Sequence, residues 1–270
     1  MQRTSDEEVH DLVERAMVLQ ESPNPQTVNE AMSSPEWGHW QKAMGAELTA
    51  MKNLKVFHLT KLPAGEKVVK HKWVFVKKIN PDGSLNKYKA RLVACGYSQV
   101  HGLNYFETFS PTCAMENIRL LLALASHYDW EMHQIDVMTA FLHAPLAEAV
   151  YMQVRHGYSE EGSEGDCVKV DKALYGLKQA SREWNRTLVR FLKDLGFVQL
   201  MSDTSVFIRG TCPTNFVIVV LHVDDQNVFS TSMKLILHFK SAMQSQFGND
   251  DIGETKCFLG IEILRDGSAF

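Results

Sequence analysis

The sequence predicts an α+β fold, with an antiparallel sheet flanked by helices, and three stretches of its 270 residues predict it. Residues 216–221 (Phe-Val-Ile-Val-Val-Leu) are an uninterrupted apolar run, as suits a strand buried on both faces. It enters a polar turn, His222-Val223-Asp224-Asp225, and residues 228–230 lead away as a second strand. Ser34-Pro35 opens a helix whose apolar stripe is Trp37, Trp40, Met44, Leu48 and Met51, at spacings of three and four.

The other elements follow in order. Residues 1–25 are polar, hold Pro23 and Pro25, and read as a flexible leader with a short helix over 7–19. Strands are expected over 56–62 and 68–79, then a turn at Asn80-Pro81-Asp82-Gly83 and a returning strand over 88–95. Together these make a small basic antiparallel sheet. Residues 102–112 read as loop, and 115–127 as a helix with Ile118, Leu121, Leu122 and Ala125 on one side. A strand ending near Asp136 follows directly. Beyond the strand-like 151–154 lies a Gly- and Glu-rich loop, 157–166, then a strand at 168–170. A helix running to about Leu195 carries Lys178, Arg182, Arg186 and Arg190 at four-residue spacing, and Gly196 ends it. Strands over 205–208 and 216–223, a helix over Met233–Phe247 and a hairpin over 257–264 complete the chain.

Composition narrows the function classes. Hydrophobic content of 45% and aromatic content of 10% are those of a globular chain. The longest apolar runs are too short to cross a bilayer, and the acidic start Asp6-Glu7-Glu8 lacks the apolar core of a secretory signal. Five unpaired-looking cysteines (Cys95, Cys113, Cys167, Cys212, Cys257) point to reduced thiols inside a cell and argue against a zinc site. A net charge of −4 argues against a nucleic-acid partner on average, but the charge is uneven. Between Glu66 and Arg91, Lys67, Lys70, Lys72, Lys77, Lys78, Lys87, Lys89 and Arg91 exceed the acids by six. With the 178–190 stripe they form a candidate polyanion-binding surface.

Asp224-Asp225 admits two readings: an ordinary solvated hairpin tip, or a cation site in which the ion relieves the repulsion of adjacent carboxylates. Asp136, alone after an apolar strand and before the small-residue turn Thr139-Ala140, adds weight to the second. A lone Asp facing an Asp pair would suit two magnesium ions, which take hard oxygen ligands.

Seven stretches then carry a resemblance. They are Lys72-Trp73-Val74-Phe75, Lys87-Tyr88-Lys89-Ala90-Arg91-Leu92-Val93-Ala94, Tyr105-Phe106-Glu107-Thr108-Phe109-Ser110-Pro111, and Asp136-Val137 with Thr139-Ala140-Phe141. Leu174-Tyr175-Gly176-Leu177-Lys178-Gln179-Ala180, Val223-Asp224-Asp225 and Phe258-Leu259-Gly260-Ile261-Glu262 complete the set. In this order, from about residue 25 to 267, the chain strongly resembles the reverse transcriptase of copia-type LTR retrotransposons.

The resemblance implies a right-hand polymerase. Its divisions would be a flexible leader (1–25), an N-terminal helix and fingers (26–130), a palm with an interleaved fingers segment (131–250), and a primer-grip-like hairpin (251–270). Most of a thumb and a ribonuclease H domain would be missing. Asp136, Asp224 and Asp225 would be the catalytic carboxylates, binding two Mg2+ ions, with Mn2+ as an alternative. Lys89 and Arg91 would contact the triphosphate, and Phe141 would exclude a ribose 2′-hydroxyl. Gly176, Lys178 and Gln179 would lie beneath the nascent base pair, and Lys178, Arg182, Arg186, Arg190 and His222 would meet nucleic acid. Implied partners are an RNA or DNA template with its primer, deoxynucleoside triphosphates, and the ribonuclease H and integrase of a Pol polyprotein. No membrane is implied, and the expected location is a cytoplasmic virus-like particle or the nucleus. The chain departs from the family at His222 (usually Tyr), Met138 (Lys), His143-Ala144 (Asn-Gly) and Ser181 (Pro). These departures keep open an alternative, a catalytically silent nucleic-acid-binding remnant.

Overall fold

A buried strand must satisfy its peptide groups within a sheet, and the apolar run around Val219 does so by pairing on both sides. The structure, a computed structural model, describes residues 23–80, 82–153, 166–211 and 214–265. It divides into two units, Met1–Asn104 with Glu148–Leu177 and Tyr105–Ala147 with Lys178–Phe270. The expected helix over 7–19, the loop at 157–165 and Cys212 lie outside the described residues. Among the described residues no helix is long and apolar enough to cross a membrane.

In chain order the elements begin with helices α1 (Val28–Ser33) and α2 (Trp37–Asn53) and strands β1 (Phe57–Lys61), β2 (Val68–Val69), β3 (His71–Ile79) and β4 (Leu85–Ala94). Helix α3 (Met115–Tyr128), β5 (Glu131–Val137), β6 (Pro145–Gln153), β7 (Asp166–Lys172) and α4 (Ala180–Asp194) follow. The last are β8 (Val198–Gln199), β9 (Val206–Thr211), β10 (Asn215–His222), β11 (Asp225–Ser230), α5 (Met233–Phe247), β12 (Asn249–Glu254), β13 (Cys257–Phe258) and β14 (Ile261–Glu262). Several sheets and five helices among the described residues make the α+β class of the sequence reading correct.

In the first unit a four-stranded sheet has the order β1-β7-β6-β2, and β3 and β4 form a separate antiparallel hairpin. Alternation sorts the hairpin into two faces. Trp73, Phe75, Ala90 and Leu92 are buried, and Trp40 of α2 packs edge-on to Phe75 at 5.3 Å and Tyr88 at 4.7 Å. The other face carries Lys72, Lys78, Lys87, Lys89 and Arg91, with Lys78 directly across from Lys87. Like charges in that position are destabilising, so this face suits an anion. Lys77 is the exception in the run. It points inward, and its ammonium lies 2.7 Å from Glu36, which also accepts the Tyr88 hydroxyl at 3.0 Å.

The second unit is organised by an antiparallel six-stranded sheet of order β12-β5-β11-β10-β9-β8. One face packs Met132, Phe216, Ile218, Val220 and Phe229 against Ile118, Leu121 and Ala125 of α3. Helix α3 lacks a side-chain cap of its own, and Asp203 supplies one from a distant loop. Its carboxylate accepts the Ala114 N–H at 3.1 Å and the Asn117 amide at 2.7 Å. The opposite face of β5 turns His133 towards α5, where buried Lys240 sits 2.6 Å from His133 Nδ1 and also bonds Asp251 of β12. Helix α4 packs beside α5 through Trp184 and Phe191, each 5.1 Å from Phe247.

Several sequence expectations shift. Helix α2 starts at Trp37, because Ser34 turns its hydroxyl back to the Ala31 carbonyl of α1, a helix the sequence reading had not anticipated. The expected strand over 68–79 is two strands in different sheets. Helix α4 begins at Ala180, so Lys178 precedes the helix and does not belong to its stripe. Just upstream, Gly176 has a φ of +88° where the chain closes on β4. Strand β12 was also missed, since Asn249-Asp250-Asp251 reads as turn chemistry.

Gly65 and Gly176 share nearly the same φ, +87° and +88°, but a Cβ on Gly65 meets open space whereas one on Gly176 would lie 2.1 Å from the Ala94 carbonyl oxygen. Gly65→Ala is expected to cost about 1–2 kcal/mol for the left-handed backbone alone, and Gly176→Ala about 1–3 kcal/mol more for the clash. Urea unfolding of the two variants separates these contributions. The Lys240 cluster makes stability pH-dependent. Burial and then Lys240 hold His133 below the ordinary histidine range, against the opposing pull of Asp251, Glu131 and Glu254. Burial works to raise Asp251, but bonds from Lys240 and the Gly253 N–H hold it below the usual carboxylate range. Both folded-state values are depressed, so both contributions are full at neutral pH and lost on acidification. The His133 loss begins near the ordinary histidine value of about 6.5, and the Asp251 loss near about 3.9. Urea midpoints should fall between pH 7 and 5 for the wild type, and less for His133→Asn.

Candidate active site

The hairpin of β10 and β11 closes with His222 opposite Asp225, so the turn is Val223-Asp224 and Asp225 already belongs to the strand. The sequence reading put both acids in the turn. The ladder extends one residue further because Asp225 also pairs across to Asp136 on β5. Residues directly opposite in an antiparallel pair share a face, so Asp136 and Asp225 point the same way, with Gln134 beside them. Asp224 adds a third carboxylate from the turn, and its carbonyl oxygen lies 3.5 Å from the Val137 nitrogen.

The turn is built under strain and held by a tryptophan. Val223 has φ +60°, an outlying conformation for a β-branched residue. Its carbonyl accepts the indole N–H of buried Trp184 at 2.8 Å, and Trp184 is itself packed between α4 and α5. The sequence reading assigned no part to Trp184. Its only signal was position, since Ala180, Trp184, Leu188 and Leu192 are the buried face of α4 between the arginines.

The electrostatics follow from the geometry. Burial, then repulsion from Asp224 and Asp136, push the Asp225 carboxyl above its usual range, partly offset by a Gln134 hydrogen bond and by His222. Hard oxygen donors that repel one another are the donor set a divalent cation of the magnesium type requires, so the residues fit such an ion in chemical character. Their side chains do not, however, close around a point. Among the described residues no group of three or more His, Cys, Asp or Glu forms a metal-binding cluster.

The other candidates divide between the units. In the first, the Arg91 guanidinium lies over the Tyr175 ring at 4.4 Å, Lys89 shares its face of β4, and Gly176 packs on Ala94. In the second, Phe141 is buried in a short 3-10 turn (Ala140–His143) just after β5, and Gln179 is fully buried at the start of α4. Lys178 lies over Tyr105 at 5.0 Å. The expected basic stripe is partly neutralised, since Arg182 pairs with Glu107 at 2.8 Å and Glu183 at 2.9 Å, while Arg186 is 3.4 Å from Glu183. Arg186 and Arg190 line a pocket of about 200 Å³ with Thr187, Glu183 and residues 145–147. His222 is half-buried beside Asp225, and its Nδ1 has no hydrogen-bond partner among the described residues.

A family model described as reverse transcriptase (RNA-dependent DNA polymerase) matches residues 54–270. The chain is 36% identical over 250 residues to the retrovirus-related Pol polyprotein from transposon TNT 1-94 of Nicotiana tabacum, covering 93% of this chain and 19% of that protein. It is 37% and 38% identical over 253 residues to the corresponding polyproteins from transposons RE2 and RE1 of Arabidopsis thaliana, covering 93% of this chain and 17% of each. The chain thus spans about a fifth of the length of these relatives. It belongs to the reverse transcriptase (RNA-dependent DNA polymerase) family, as a domain of the kind carried within retrotransposon Pol polyproteins.

Proposed function

We propose that this chain is the catalytic core of an RNA-directed DNA polymerase, transferring a nucleotidyl group to a primer 3′-hydroxyl on an RNA or DNA template. The observation that carries the reading is the register of Asp136 opposite Asp225, with Asp224 in the adjoining turn. These three carboxylates would hold magnesium, or manganese in its place. Bound there, the metal would lower the pKa of the primer hydroxyl and stabilise the leaving pyrophosphate. The chain's own groups would position the reactants. Trp184 fixes the turn that aims Asp224, and Gln134 and His222 partly offset the burial and acidic neighbours that push Asp225 up. The basic face of β3 and β4, through Lys89 and Arg91, would receive the triphosphate. Phe141, held rigid by burial, would set the steric limit against a 2′-hydroxyl. Gly176, Lys178 and Gln179 would support the nascent pair, and Arg186 and Arg190 the nucleic-acid backbone.

In this reading the six-stranded sheet with its helices is the palm of a right-hand polymerase, the basic hairpin belongs to the fingers, and β13–β14 serves the primer end. The natural setting would be a Pol polyprotein that also supplies ribonuclease H and integrase, inside a virus-like particle or the nucleus. A second reading, a nucleic-acid-binding remnant without catalysis, is favoured by His222, whose Nδ1 has no hydrogen-bond partner among the described residues.

Primer extension on a homopolymer RNA template with magnesium distinguishes them. Wild type is expected to extend the primer, and Asp224→Asn to lose at least about a hundredfold in rate, the scale of removing a positioned electrostatic group. Equal extension by both would refute the assignment. No extension by either, with retained salt-sensitive duplex binding, would establish the remnant.

A further inference from the structure

Burial of aromatic rings drives folding, yet the segment Phe106-Glu107-Thr108-Phe109 is exposed at every position, with Phe106 at 56% and Phe109 at 79%. The segment is nonetheless fixed. At one end Lys178 caps the Tyr105 ring at 5.0 Å, in the middle Arg182 binds Glu107 at 2.8 Å, and at the other end the Ser110 hydroxyl donates to the Ser181 carbonyl at 3.1 Å. All three ties run to the start of α4, the helix that also carries Arg186 and Arg190. Two largely exposed rings are therefore carried on a segment tied to the start of α4, the helix whose Arg186 and Arg190 are exposed.

Protein interfaces deplete charge around their aromatic centres, whereas this segment sits among charged groups, with Lys178 over the Tyr105 ring and the Arg182–Glu107 pair between the flanking phenylalanines and α4. Aromatic side chains combined with a basic track are how proteins hold single-stranded nucleic acid, because every base has a π-face and every nucleotide a phosphate. We propose that Phe109, together with Phe106, is a stacking platform for unpaired bases of a single strand whose phosphates meet Lys178, Arg186 and Arg190. The proposal rests on the nucleic-acid reading above and adds to it a site and a mode of recognition. Arg182 takes no part, being engaged by Glu107 and Glu183.

The test measures binding of the whole chain to three probes: a labelled oligouridylate, a blunt RNA–DNA duplex and inorganic polyphosphate. Phe109→Ala should weaken oligouridylate binding about tenfold, with polyphosphate affinity and the unfolding midpoint unchanged. Phe109→Trp should restore binding, and Phe109→Leu should not. Lys178→Ala should weaken oligouridylate and polyphosphate alike, and reduce the oligouridylate salt slope by about 0.7. Unchanged oligouridylate affinity in Phe109→Ala, an equal loss on polyphosphate, or rescue by leucine would each overturn the platform. In those cases salt-sensitive duplex binding by the wild type would leave the nucleic-acid reading standing. Failure of the wild type to bind any probe would overturn both.

Discussion

Everything proposed for this chain depends on one cross-strand pair, Asp136 on β5 opposite Asp225 on β11, at the end of the sheet where the β10–β11 hairpin turns. Two carboxylates on the same face of adjacent strands repel, and a third from the turn adds to the strain. Sheet register is not free to relieve this. A one-residue slip would carry Met132, Phe229 and their neighbours from the α3 core to the other face. The apolar core of the second unit therefore holds the acids together against their own charge, and the Trp184 bond to Val223 holds the strained turn above them.

The first unit shows the same use of apolar order to place like charges. Trp40, Trp73 and Phe75 fix which way the β3–β4 hairpin faces, and the consequence is five cations on its other side. Lys77 shows how strictly alternation decides the matter. It sits among the basic residues in sequence, but its position in the pleat turns it inward to Glu36. The basic excess in that stretch thus contains one structural cation and a set of outward-facing ones.

Much of the fold was legible because the signals were periodic. The strand ending in His222, helices α3 and α5, and the strand ending in Asp136 all follow from apolar spacing. What escaped depends on partners distant in sequence. Asp203 caps a helix eighty-odd residues earlier, and no local pattern announces it. Lys240 falls at the spacing of the α5 stripe, but the partners that make a buried cation possible there, His133 and Asp251, are set by the tertiary structure. The four-spaced stripe from Lys178 to Arg190 suggested one free basic face. The helix starts only at Ala180, after Lys178, and Glu107 and Glu183 claim Arg182. For the site, the three aspartates were visible as residue types, but their register and the tryptophan beneath the turn required the tertiary structure.

The central claim is that the sheet and its adjoining turn hold three carboxylates whose mutual repulsion, only partly offset by Gln134 and His222, the proposed divalent cation would relieve. The direct measurement is thermal unfolding in magnesium chloride against sodium chloride of equal ionic strength, for the wild type and for Asp225→Asn. Magnesium at tenfold its dissociation constant should stabilise the wild type by about 1.4 kcal/mol, and Asp225→Asn should be more stable than wild type in sodium but gain little from magnesium. An equal response of both proteins to magnesium would contradict the account.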